Sequence, residues 1–141
     1  MTDLSIDETD NFTIEQSAEY RLPGYLIVQN KNGAREFSDL DAGAGVELQH
    51  CLSRAEAMLR ELLEPERTYI CKFAELNPVM HFHLFPRTAR VGEVYAAQTQ
   101  ETAPFNGARL MAWTWEKHAL FGFSDEDIAD FVGRAREWSL A

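Results

Sequence analysis

The sequence predicts an α+β domain: an antiparallel strand pair with a long helix packed across one face. Three observations carry this. From Val79 to Pro86, successive side chains fall alternately on two faces, one of them apolar at Met80, Phe82 and Leu84. A strand-like run from Thr68 to Phe73 precedes it, and the short connection Glu75-Leu76-Asn77-Pro78 favours antiparallel pairing of the two. Upstream, Leu48, Leu52, Ala55, Leu59 and Leu62 recur at helical steps and lay one apolar stripe along a helix.

The elements follow in order. Residues 1–11 carry Asp3, Asp7, Glu8 and Asp10 with no Lys or Arg, and are expected to form an acidic disordered tail ahead of a single domain over 12–141. Phe12 to Gln16 and Tyr20 to Gln29 are strand-like. Tyr25, Ile27 and Gln29 share one face, and Pro23-Gly24 introduces a bend. Lys31-Asn32-Gly33 marks a turn. Ser38, Asp39 or Asp41 can cap the long helix, Pro65 lies just past its end, and His50 sits off the stripe in an exposed position. Residues 88–107 are polar and mixed, expected as a loop over the cleft, and Leu110 to Trp115 is expected as a strand. A final helix starts at Ser124, with Asp125, Glu126 and Asp127 at the positive end of its dipole. Its stripe is Ile128, Phe131, Val132, Ala135 and Trp138.

Composition bounds the partners. The formal net charge of -10 over 141 residues repels phosphate backbones, so general nucleic-acid binding is not expected. No run approaches the ~20 apolar residues of a membrane span. The N-terminus lacks a basic stretch followed by an apolar one, and Cys51 and Cys71 form no metal-type pair, so a cytoplasmic protein with two reduced thiols is expected.

The chemistry concentrates in His81-Phe82-His83-Leu84-Phe85-Pro86-Arg87. On a strand, His81 and His83 share a face roughly 7 Å apart, a gap that a phosphate or a metal ion can bridge. Three readings stand open from the residues alone. One imidazole can attack phosphorus while the other donates to its oxygens. The pair can instead chelate a metal, given a third ligand. Or both rings decorate a polar face.

Together with Val79 and Met80, this run resembles the signature of the histidine-triad (HIT) family, in which histidines alternate with apolar residues along a strand and Pro-Arg often follows. Pro23-Gly24-Tyr25-Leu26-Ile27-Val28 and Phe37-Ser38-Asp39-Leu40 resemble its upstream elements in the same order, so the likeness covers residues 12–90. The resemblance implies an antiparallel sheet of about five strands, a homodimer, and hydrolase or transferase activity on small-molecule nucleotides with a substituted α-phosphate, with no cofactor. Carried over by position, His81 is the nucleophile that forms a nucleotidyl-histidine intermediate, and His83 hydrogen-bonds the α-phosphate. Asn77, Gln16 and Arg87 are the candidate substrate contacts. The family's first histidine is replaced by Val79, so a backbone carbonyl would have to fix the tautomer of the nucleophile. Glu75 precedes the strand where many members place small or amide residues. The alternatives are a non-catalytic nucleotide-binding module and a His-x-His metal protein. Trp113 and Trp115 are read as core or surface aromatics rather than a base-stacking pair.

Overall fold

The computed structural model describes residues 3–141. Five strands form one sheet: β1 (Ser5–Glu8), β2 (Phe12–Gln16), β3 (Leu26–Asn30), β4 (Arg67–Cys71) and β5 (His81–Arg87). Every neighbouring pair is antiparallel and the spatial order is β1-β2-β3-β5-β4, which leaves β4 at an edge. Four helices complete the chain: α1 (Ala42–Leu63), α2 (Ala89–Thr99), α3 (Gly107–Lys117) and α4 (Asp125–Leu140).

Strand alternation divides the interior into two cores. Phe12, Ile14, Leu26, Val28, Met80, Phe82 and Leu84 point to one side, where α1 and α4 cover them. Helix α1 starts where the Asp41 side chain accepts from the Ala44 N–H and ends at Glu64, which turns into the left-handed region ahead of Pro65. Leu48, Ala55 and Leu59 of its stripe are buried, joined by Cys51 and Met58, and Leu52 and Leu62 pack at the margin. The stripe of α4 is buried from Ile128 to Ala135, its first turn closed by a capping box between Ser124 and Asp127. On the opposite side, Tyr25 and Phe85 are covered by residues of α2 and α3. Phe85 is fully buried there, whereas His81 and His83 on the same strand face are only partly buried. That uneven cover creates the cleft.

Four expectations are corrected. The acidic N-terminal stretch is not a disordered tail: Ser5–Glu8 pairs with β2 and Ile6 is buried among the α1-side core residues. The count of acidic residues outweighed the short apolar face of Leu4 and Ile6. Of residues 88–107, Ala89–Thr99 is a helix rather than a loop, because Thr88 caps α2 and Val91 and Tyr95 bury one turn apart; residues 100–106 form the connection to α3. Leu110 to Trp115 is helical, with Leu110, Met111 and Thr114 buried at helical spacing and Asn106 capping α3. Its aromatic composition favours a strand, but its burial period does not. The strand expected over Tyr20 to Gln29 begins only at Leu26. Residues ahead of it turn through Gly24, whose φ of 89° suits glycine and whose absent Cβ would fall 2.4 Å from Leu63 Cδ1.

Candidate active site

Pairing with β3 puts His83 opposite Ile27 and His81 opposite Gln29, so both imidazoles stand over the middle of the sheet. Their ring centroids are 5.3 Å apart and tilted by 47°. They border an open cleft of about 430 Å³ whose far wall is the end of β2 and the loop that follows it, including Ser17 and Tyr20.

His81 Nδ1 lies 2.8 Å from the carbonyl oxygen of Val79. A carbonyl only accepts, so Nδ1 carries the proton and Nε2 keeps its lone pair. Val79 therefore orients the His81 ring through its backbone. His83 Nδ1 lies 2.7 Å from the Tyr25 hydroxyl, which accepts a 2.9 Å hydrogen bond from the Trp115 indole N–H. Burial first, and the neighbouring His81 second, push the His83 pKa down to about 4. Burial also holds the Tyr25 phenol well above its ordinary value.

The candidate substrate contacts separate. Asn77 borders the cleft beside the histidines; its Oδ1 accepts from the Val79 N–H at 3.1 Å, and its amide nitrogen makes no hydrogen bond among the described residues. Gln16 borders the cleft too, but its amide is committed elsewhere. Nε2 donates to Leu22 O at 2.8 Å and Oε1 accepts from the Gly24 N–H at 2.9 Å, at 1% exposure. It is a latch for the turn before β3, not a free nucleoside contact. Arg87 stands at the other end of β5, donating to the Tyr69 hydroxyl at 3.0 Å and packing over Phe105, outside the cleft. Glu75 is exposed and does not border the cleft either. Glu15 and Glu19 do, and no Lys or Arg is among the residues lining it. Among the described residues no group of three His, Cys, Asp or Glu is arranged to hold a metal ion.

Sequence reasoning left Tyr25 and Trp115 out of the site. The signal for Tyr25 was its place on the same strand face as Ile27 and Gln29. Trp115 had none, since its helix was expected as a strand. Trp113 is a core aromatic, set edge-on against Tyr95 and Phe121. His118 accepts from the Arg21 N–H at 3.4 Å and meets Tyr20 edge-on, at the rim of the aromatic cluster rather than in the cleft.

No family model matches the sequence, and no curated protein sequence matches it. Solved structures do match in fold. The Caenorhabditis elegans NitFhit protein superposes with a TM-score of 0.64 at 17% identity over 96% of this chain, which spans 27% of that one. A histidine triad protein from Marinobacter aquaeolei gives a TM-score of 0.64 at 15% identity, covering 97% of this chain and 90% of its own. A Hit-like protein involved in cell-cycle regulation from Bartonella henselae, solved with an unknown ligand, gives 0.62 at 12% identity over 98% and 88%. At these identities the likeness speaks for the backbone. With its sheet order and the placement of His81 and His83, this chain has the histidine-triad fold.

Proposed function

We propose that this protein is a nucleotide hydrolase or nucleotidyl transferase acting at a substituted α-phosphate. The observation that carries the proposal is the hydrogen bond from His81 Nδ1 to the Val79 carbonyl, which supplies the tautomer that a nucleophilic Nε2 requires. In the first step the Nε2 lone pair forms a bond to phosphorus, the bond to the leaving group breaks, and the leaving group departs with that electron pair. The imidazolium ring of the intermediate is steadied at Nδ1–H by the same carbonyl. His83, and Asn77 through its free amide nitrogen, donate to the phosphoryl oxygens as negative charge develops. Water, or an acceptor hydroxyl, then attacks phosphorus and gives up its proton to the solvent of the open cleft. The P–N bond breaks, its electrons return to Nε2, and the nucleotide leaves.

The fold supports assembly into a homodimer. Strand β4 presents an unpaired edge, and Phe37 and Ile70, at 60% and 41% exposure, face a groove between β4 and α1 that a second copy would cover. A cytoplasmic setting agrees with two free thiols and with no helix among the described residues long and apolar enough to cross a membrane.

The test is turnover of a panel of adenosine and guanosine conjugates, with and without chelator. Turnover that survives chelator and disappears in His81→Asn supports the proposal. Binding without turnover identifies a non-catalytic nucleotide module, and loss on chelation identifies a metal protein. Either result overturns it.

A further inference from the structure

Tyr25 and Trp115 form a donor chain that ends on the second histidine, and its direction is fixed by chemistry. The Trp115 indole N–H can only donate, so at 2.9 Å the Tyr25 oxygen accepts from it. That oxygen could accept from a second donor too, but the proton of this buried hydroxyl has no acceptor among the described residues except His83 Nδ1 at 2.7 Å, so Tyr25 donates to it. Both groups are held rigidly: Tyr25 is fully buried, crossed edge-on by His83 and Phe85, and Trp115 is stacked on Tyr20. A ring that accepts at Nδ1 carries its single proton at Nε2.

We infer that Tyr25 and Trp115 are positioning residues that lock His83 as a neutral Nε2–H donor, so that His83 stabilises the phosphoryl oxygens but gives no proton to the leaving group. This rests on the proposed reaction at His81 and narrows its substrates. When His81 Nε2 bonds to phosphorus, the departing group must carry the electron pair of the broken bond unaided by His83. Conjugates with a weakly basic leaving group, such as the anion of a mixed anhydride or an acidic phenol, are then substrates. Alkyl esters, whose alkoxides need a proton, are not.

The other titratable groups facing His83 do not replace the missing acid. His81 on the same strand is the nucleophile, and Cys71, its β4 partner in register, has its thiol pushed up to about 11 by burial. Tyr20 borders the cleft, but burial and then Glu19 raise its phenol above the ordinary value. Glu15 and Glu19 also line the cleft, and neither hydrogen-bonds His83. The depressed pKa of His83 points the same way as the geometry.

Nitrogen-15 NMR of the full chain labelled at histidine tests the lock directly. The expected result is an Nε2–H tautomer for His83, with no protonation between pH 8 and 5.5. In Tyr25→Phe, which removes the donor to Nδ1 and leaves the burial in place, the single-tautomer signal should give way to a mixture of Nε2–H and Nδ1–H forms. An Nδ1–H tautomer, or an ordinary midpoint in the unaltered protein, overturns the inference. This readout needs no turnover, so it separates failure of the lock from failure of the proposed reaction. With turnover, a series of adenosine monophosphate aryl esters should speed up steeply with leaving-group acidity, by several-fold per pKa unit, and more shallowly in Tyr25→Phe. A flat series, or hydrolysis of alkyl esters as fast as aryl ones, also overturns it.

Discussion

Replacing Gln16 by Leu separates a structural latch from a ligand contact. The side chain is 1% exposed, and its amide satisfies the Gly24 N–H and the Leu22 carbonyl in the turn that leads into β3. Leucine is close in size but leaves the Gly24 N–H buried without a partner, whereas the Leu22 carbonyl keeps the Tyr25 N–H at 3.0 Å. The orphaned N–H costs about 1–3 kcal/mol and the second bond lost at the carbonyl about 1 kcal/mol. The added apolar burial of leucine returns roughly 1 kcal/mol, and the expected net loss is about 2 kcal/mol. For a chain of this size that lowers Tm by about 6 °C. Thermal and urea unfolding measure the loss. Calorimetric titration with a nucleoside monophosphate, at a temperature where both proteins are folded, measures the contact. The latch predicts a large stability loss with affinity within about threefold of the parent, less than ~0.7 kcal/mol. An unchanged Tm with affinity lost would refute the reasoning and restore Gln16 as a substrate contact.

Other expected outcomes follow from the same geometry. Val79→Ala keeps the carbonyl that orients His81, so turnover should stay within about tenfold, or ~1.4 kcal/mol, of the parent; a loss as deep as that of His81→Asn would show that the valine side chain is what matters. His83 is neutral in the folded chain down to about pH 4, whereas an unfolded imidazole takes a proton near ~6.5. Its contribution is therefore complete above pH 6.5 and declines as pH falls toward 4. The ceiling is about 3 kcal/mol, and solvent in the open cleft reduces it to roughly 1–2 kcal/mol. Urea unfolding of the parent and of His83→Gln at pH 7 and 4.5 checks this, and equal declines in the two proteins would contradict it. Gly24→Ala must hold a φ of 89° with a Cβ placed 2.4 Å from Leu63 Cδ1, so a loss of at least ~2 kcal/mol is expected in the same assay. A neutral substitution there would mean that the turn relaxes freely.

The central sheet was legible because Leu26 and Val28 on one strand, and Phe82, Leu84 and Pro86 on the other, fall at every second position and are all buried. Helices α1 and α4 were legible through long stripes with capping residues at their starts. Short elements were not. β1 buries only Ile6, and α2 buries Val91, Gly92 and Tyr95, which leaves too few apolar positions to establish a period against a polar background. Helix α3 misled because Trp113, Thr114 and Trp115 favour strands by type, and only tertiary packing onto Tyr25 and Phe85 settles its state. That His81 and His83 share one strand face was readable from spacing alone. The need for a carbonyl at Val79 followed from the missing histidine, whereas the Tyr25 and Trp115 chain required knowing where α3 lands. Gln16 and Arg87 illustrate the converse. Residue type suggested ligand contacts, but hydrogen bonds to the Leu22–Gly24 turn and to Tyr69 use those groups up.

Rapid acid-free quenching of the protein with an adenosine conjugate, followed by peptide mass spectrometry, tests the central claim most directly. One nucleoside monophosphate should be found attached to the peptide carrying His81, fragment ions should place it on that residue, and it should be absent from His81→Asn. Product release with no such adduct at any time point, or an adduct on His83 instead, would contradict the account.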